Sequence, residues 1–270
     1  MIPVSREADA LSTCLLVGGL PAHEYDVPMT ESAFELIPAS AAAPLLLVCD
    51  HAANALPAPY GTLGLRAGLF ETHIAYDIGA AQVTRALATA YGAAAVLGRW
   101  SRLLIDLNRG ADDPTLVMKL SDGSIIPGNR SADAAEVARR ISLFHTPYHD
   151  AITAQIDRLG RPVLISLHSF TPAWKGVPRP WKVGVLWDQD GRLAIPLMAR
   201  LAEAGFHVGD NEPYHGALEN DCLNRHGTKR GLPHVLIEMR QDLIADDAMA
   251  RAFAVRLKPV LDAALADMEI

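Results

Sequence analysis

Two histidines, His51 and His168, each close a run of apolar residues: LLLVCDH over 45–51 and PVLISLH over 162–168. Four apolar residues in a row, Leu45 to Val48, read as a strand buried on both faces, and the Asn54–Pro57 turn follows it. Two neutral imidazoles with one carboxylate form the usual catalytic zinc set, with an open position where bound water is acidified toward neutrality. Asp77, just ahead of a helical stretch, is the favoured carboxylate, and Asn54, three residues after His51, is the weaker alternative. An amide oxygen is a poor zinc ligand beside a carboxylate. The bland reading of His51 is a buried imidazole hydrogen-bonded to Asp50 beside a turn.

Glu238 ends the apolar run VLIE, where partial burial raises a carboxylate toward the range a general base needs. A salt bridge with Arg240 or Arg230 is the structural alternative. Arg102, Asn108 and Arg109 could form the other half of a site, because a guanidinium fork matches a substrate carboxylate and an Asn amide adds a directional donor. Asp106 could instead simply pair one of these arginines. Arg240 and Tyr214 are further candidate substrate contacts, Tyr214 with His215 and His226 in a substrate loop or a plain turn. His145 and His149 fall four apart on one helical face, either as metal ligands or with one capping a kink at Pro147.

These groups need strands whose ends meet. The spacing predicts strands at 45–48, 93–97, 103–107, 162–167, 182–187 and 234–240, with an edge beginning at 207–210. Helices are expected over 78–91, stopped by Gly92, over 131–159, kinked or split at Pro147 and ended by Gly160, and over 193–204 and 246–268. Strand, helix, strand in that order builds a mostly parallel sheet, and ligands bind where such strands end. The polar stretch 112–129 is expected to be a functional loop, and residues 1–43 a lid or an edge.

At 270 residues, half of them apolar, the chain can bury one large core, and no composition break divides it. A net charge of −7 without a Lys/Arg run argues against nucleic acid and anionic membranes, leaving a small molecule as the expected partner. Cys14, Cys49 and Cys222 are too few and scattered for a disulfide framework or a thiolate metal site, which fits a reducing cytoplasm. No leader pattern opens the chain and no apolar run approaches spanning length, so a soluble protein is expected.

The series CDHAANALP, AYDIGA, SRLLIDLNRG, DDPTLVMKLSDGSIIPGNR, PYHDAI, ISLHSF, DNEPYHG and RGLPHVLIEMRQDL resembles the N-formylglutamate amidohydrolase family from about Leu45 to Leu243. The resemblance implies a single α/β domain of the zinc-carboxypeptidase fold, a mostly parallel mixed sheet flanked by helices, shared with aspartoacylase. It implies that His51 and His168 bind one Zn2+ per chain, that Glu238 is general base and acid, and that Arg102 stands near the oxyanion. Asn108 and Arg109 would grip the substrate's carboxylate, and His149 would line the pocket. Where aspartoacylases carry a Glu three residues after the first zinc His, this chain has Asn54, so the third ligand is Asp77 or Asn54. The better-studied formylglutamate enzymes have Ser-Gly after that His, and here Ala52-Ala53 stands in its place. The expected reaction is hydrolysis of an N-acyl amino acid with a carboxylate, formylglutamate first. A same-fold hydrolase of a peptide or cell-wall fragment and a non-catalytic binding protein are the alternatives.

Overall fold

The computed structural model describes residues 31–268; the expectation for residues 1–43 therefore falls outside it up to residue 30. Seven strands make one sheet: β1 Phe34–Ile37, β2 Leu45–Cys49, β3 Ala94–Gly98, β4 Val163–Phe170, β5 Val183–Leu186, β6 Val208–Asp210 and β7 His234–Arg240. Their spatial order is β1-β3-β2-β4-β7-β5-β6. The central strands β3, β2, β4 and β7 are parallel, β1 closes one edge antiparallel to β3, and β5 runs antiparallel to β7 with β6 parallel beside it. Residues 34–37 are thus an edge strand of the sheet.

Each central strand is apolar on both faces because both are covered, and alternation divides its residues between two cores. Leu45, Leu47, Cys49, Ile165, Leu167, Val235 and Ile237 enter one core, covered by helices α1 (Ala80–Tyr91), α4 (Gly191–Glu203) and α6 (Asp247–Ala266). Leu46, Val48, Leu164 and Leu236 enter the other, under α2 (Ala134–Arg140), α3 (Thr146–Leu159) and α5 (Cys222–His226). The chain leaves β2 for β3 on one side and later enters β4 on the other, so the strand order switches direction between β2 and β4. That is where loops diverge and leave a crevice. Gly98 is required close by, since a Cβ there would collide with the Asp50 carbonyl.

The expected strand at 103–107 does not form. Leu103, Leu104 and Ile105 are buried, but the segment follows an irregular path whose amides bond loop carbonyls, Leu104 N–H to Ser101 and Asp106 N–H to Leu116. Apolar content marked burial there, not extension. The long helix is divided as expected: α2 runs into a π-helical turn, Ile141–His145, and α3 restarts with Pro147 in its first turn, where a missing N–H costs nothing. Within 112–129 a small hairpin, Leu120–Ser121 with Ser124–Ile125, turns on Asp122 and Gly123, both at positive φ. Among the described residues, no helix is long and apolar enough to cross a membrane.

Candidate functional site

The two-residue period that puts Leu46, Val48, Leu164 and Leu236 in the second core carries Asp50, Ser166, His168 and Glu238 onto the same face, at the carboxyl ends of β2, β4 and β7. His51 follows β2, and Asp77 reaches in from the loop before α1, its N–H bonded to the His51 carbonyl at 3.0 Å. One ligand atom from each of His51, Asp77 and His168 lies within 4.8 Å of the others, and all three residues are buried. The two imidazole centroids are 4.9 Å apart with planes at 82°. Asn54 is not part of this group: its Nδ2 donates to the Phe70 carbonyl at 2.9 Å. Between the two candidates for third ligand, the geometry brings in Asp77.

Each imidazole is held from behind by a second carboxylate. His51 Nε2 donates to Asp106 Oδ1 at 2.7 Å, and its Nδ1 faces Asp77 Oδ1 at 3.4 Å without a hydrogen-bond partner. His168 Nε2 donates to Asp50 Oδ2 at 2.9 Å and Nδ1 donates to Asp77 Oδ2 at 2.8 Å. Burial works against charge on His168, but these two carboxylates override it and hold the imidazole well above its ordinary pKa. A divalent cation fits among these inner donors: they would be the unpartnered His51 Nδ1, His168 Nδ1 and an Asp77 oxygen, with the outer nitrogens fixed by Asp106 and Asp50 as metal-binding histidines require. Asp50 itself accepts from the Tyr148 hydroxyl at 2.9 Å and the Ser166 hydroxyl at 3.3 Å. Burial opposes its ionisation, yet the His168 bond brings it down to about 2.

Glu238 stands opposite His168 in the β4–β7 ladder and opposite Gly184 on β5, where a side chain would crowd it. It pairs with neither suggested arginine. Arg240 binds Asp242 at 2.7 and 3.0 Å and the Arg179 carbonyl at 2.9 Å, while Arg230 lies against Thr153 and Asp157. Glu238 Oε2 has no partner, and burial first, with Asp77 adding, pushes its carboxyl up to about 7 against the pull of His168, His51 and Arg102.

Asp106 also organises the opposite wall. Its Oδ2 accepts from Arg102 at 2.8 Å and its Oδ1 from the Asn108 N–H at 2.9 Å. Arg102 Nη1 comes within 3.6 Å of Asp77, and its buried Nε has no partner. Asn108 Oδ1 accepts from the Cys222 N–H at 3.2 Å, which joins this loop to α5, and Arg109 Nη1 donates to the Asn108 carbonyl at 2.8 Å.

His51, Asp77, His168, Glu238, Arg102, Asn108, Arg109 and Tyr214 all line one cleft of about 230 Å³. Two candidates do not. Arg240 shares the face of Glu238 but ends its strand, where Asp242 two residues on captures it. His149 is wholly buried behind the cleft, against His145 and His226, while His145 takes the N-cap position before Pro147 without a side-chain capping bond.

The sequence reading missed Asp50 and Asp106 as outer partners of the histidines, and Asp221 in the cleft wall. Burial, with the Asp50 charge adding, raises the Asp221 carboxyl to about 6 even though it caps α5 by accepting from the Asn224 N–H. Asp50 was visible beside His51, but it serves His168, which no local spacing reveals.

The model of the family described as N-formylglutamate amidohydrolase matches residues 43–245. The gene product Atu2144 from Agrobacterium tumefaciens is 37% identical, over 87% of this chain and 96% of that one, with a TM-score of 0.83. An N-formylglutamate amidohydrolase from Ralstonia eutropha JMP134 is 23% identical, over 87% of this chain and 97% of its own, with a TM-score of 0.63, which marks a shared fold. No curated protein matches the chain.

Proposed function

The chain belongs to the N-formylglutamate amidohydrolase family, and from that premise we propose that its cleft hydrolyses the amide of a small N-acyl amino acid in a zinc-dependent reaction, N-formylglutamate being the first substrate to test. The observation that carries the reading is the meeting of His51, Asp77 and His168 with an unpaired, protonatable Glu238 and two arginines in one cleft. Amide hydrolysis needs a base for water, a donor for the oxyanion and an acid for the leaving nitrogen, and this wall offers each.

His51, Asp77 and His168 would hold the metal, which when bound supplies Lewis-acid polarisation and acidifies water. Glu238 takes the proton of the attacking water; with its carboxyl near 7 it can hold that proton and return it to the departing amine. Arg102, fixed by Asp106 and lining the cleft, would turn its guanidinium charge toward the developing oxyanion. Asn108, whose Oδ1 is engaged by α5, offers its amide N–H groups to the substrate carboxylate beside the Arg109 fork. Tyr214, whose hydroxyl accepts from Arg179 at 3.3 Å, closes the rim over the bound molecule. The scattered thiols and the substrate's size fit a cytoplasmic enzyme.

A panel of formyl-, acetyl- and succinyl-amino acids, assayed with and without chelator and after zinc is restored, tests this directly. Chelator-sensitive release of amine from an acidic N-acyl amino acid is the expected result. Turnover of none of them by metal-loaded protein overturns the reading.

A further inference from the structure

A second group of metal-type ligands lies behind the cleft, on the far side of Asp50. His149 on α3 and Cys222 and His226 on α5 are all buried, and one ligand atom from each lies within 4.8 Å of the others. Cys222 and His226 are four apart, so the helix presents both on one side. His149 Nδ1 meets His226 Nε2 at 2.9 Å, their rings stacked with centroids 5.1 Å apart. His226 Nδ1 is buried with no partner at all. None of the three lines the cleft, and none of their side chains has a part in the hydrolysis above.

We propose that His149, Cys222 and His226 form a second metal site that takes a divalent transition cation with an affinity for nitrogen and sulfur, Zn2+ or Co2+ rather than Mg2+ or Ca2+. Two imidazoles and a thiolate contain no hard oxygen donor, and that composition selects borderline cations. A divalent cation with one thiolate leaves one positive charge, set between the Asp50 carboxylate, which also accepts from His168, and the Arg225 guanidinium. Without a cation, burial and then the Asp50 charge keep the Cys222 thiol protonated, donating toward Asp50. Binding exchanges that thiol proton for the metal, and the proton leaves to solvent.

The site's position gives it a task. His149 Nε2 contacts His145 Nε2 at 3.1 Å, and His145 Nε2 holds the Arg109 carbonyl at 2.9 Å. A cation there would tie α3 and α5 together directly behind the loop that carries Asn108 and Arg109.

Titration of metal-free protein with Co2+ separates this site from the His51 centre, because only Cys222 supplies sulfur. The expected result is two equivalents bound, one bringing an intense thiolate-to-cobalt absorption in the near ultraviolet. Cys222→Ser should lose that absorption and one equivalent; His51→Ala should lose the other equivalent and keep the absorption. A wild-type protein with no thiolate absorption overturns the proposal, whether or not the variants fold. So does an absorption that survives Cys222→Ser. The outcome is independent of hydrolysis, so failure of the amidohydrolase reading leaves it standing.

Discussion

Glu238 and His168 face each other across the parallel ladder of β4 and β7, on the same side of the sheet. A shared register fixes their separation more firmly than any loop could, so a buried carboxyl beside an imidazole is built into the strand pairing itself. Glu238→Gln keeps the shape and removes only the ability to carry the proton. The expected outcome is a rate lower by about 10²–10⁴-fold with bound metal unchanged, read by steady-state kinetics and elemental analysis. A variant with near wild-type kcat would remove Glu238 from the reaction.

The same carboxyl makes the metal-free protein sensitive to pH. Burial lifts Glu238 from 4.5 to about 7, so it favours the fold while protonated. That contribution is complete below the unfolded value and is lost as pH rises through the folded one. Denaturant melts of chelated protein at several pH values should therefore show wild type falling behind Glu238→Gln between about pH 5 and 8, by at most ~3 kcal/mol. A difference that is flat with pH would mean that the carboxyl is not held neutral.

Asp106 serves three partners at once, His51, Arg102 and the Asn108 amide. Asp106→Asn loses the charge and one acceptor position while keeping the volume. The outer partner of a metal-binding histidine is typically worth about 10–100-fold in affinity. Competition with a chromophoric chelator should show zinc held more weakly by that factor. If affinity is unchanged, His51 is not held for the metal by this carboxylate.

The parts legible in the sequence are those that alternation carries. Residues at a two-residue period share a face, so the apolar runs alone put the imidazole of His168 and the carboxylate of Glu238 at strand ends. The parts that were not legible depend on distant closure. Asp50 adjoins His51 but binds His168, 118 positions away, and Asp106 sits in a segment whose apolar residues imitate a strand. Arg240 shows the limit of alternation, since at the end of β7 a near neighbour in sequence, Asp242, outcompetes the cleft.

Arg109 tests substrate polarity. Its Nη1 donates to the Asn108 carbonyl and its Nε to Thr115, and Asp113 lies 3.9 Å from Nε, so near neighbours hold the fork in the cleft wall. Arg109→Lys keeps a positive charge but loses two-point contact. Losing one charge-assisted hydrogen bond is worth about 1.5–3 kcal/mol, so kcat/KM for a carboxylate substrate should fall roughly 10–100-fold, chiefly through KM. The amide analogue of the same substrate should be little affected, and equal losses on both would assign Arg109 to the framework.

Asn129 is wholly buried, and its side-chain amide ties down the loop that supplies Asp106, Asn108 and Arg109. Its Nδ2 donates to the Leu103 carbonyl at 2.8 Å and the Met118 carbonyl at 2.7 Å, and its Oδ1 accepts from Arg140 at 2.7 Å. Arg140 in turn reaches the Leu104 carbonyl at 2.8 Å and Glu136 at 2.7 Å. Asn129→Ala would strand two carbonyls and a guanidinium N–H away from water, at a cost of about 3 kcal/mol. The expected fall in melting temperature is about 2–4 °C for each kcal/mol. Arg85→Ala, which breaks only the exposed pair with Glu35, should cost about 0–1 kcal/mol and serves as the control. If both variants melt alike, the loop is held by its apolar residues alone, and the polar network around Asn129 is incidental to the position of the cleft wall.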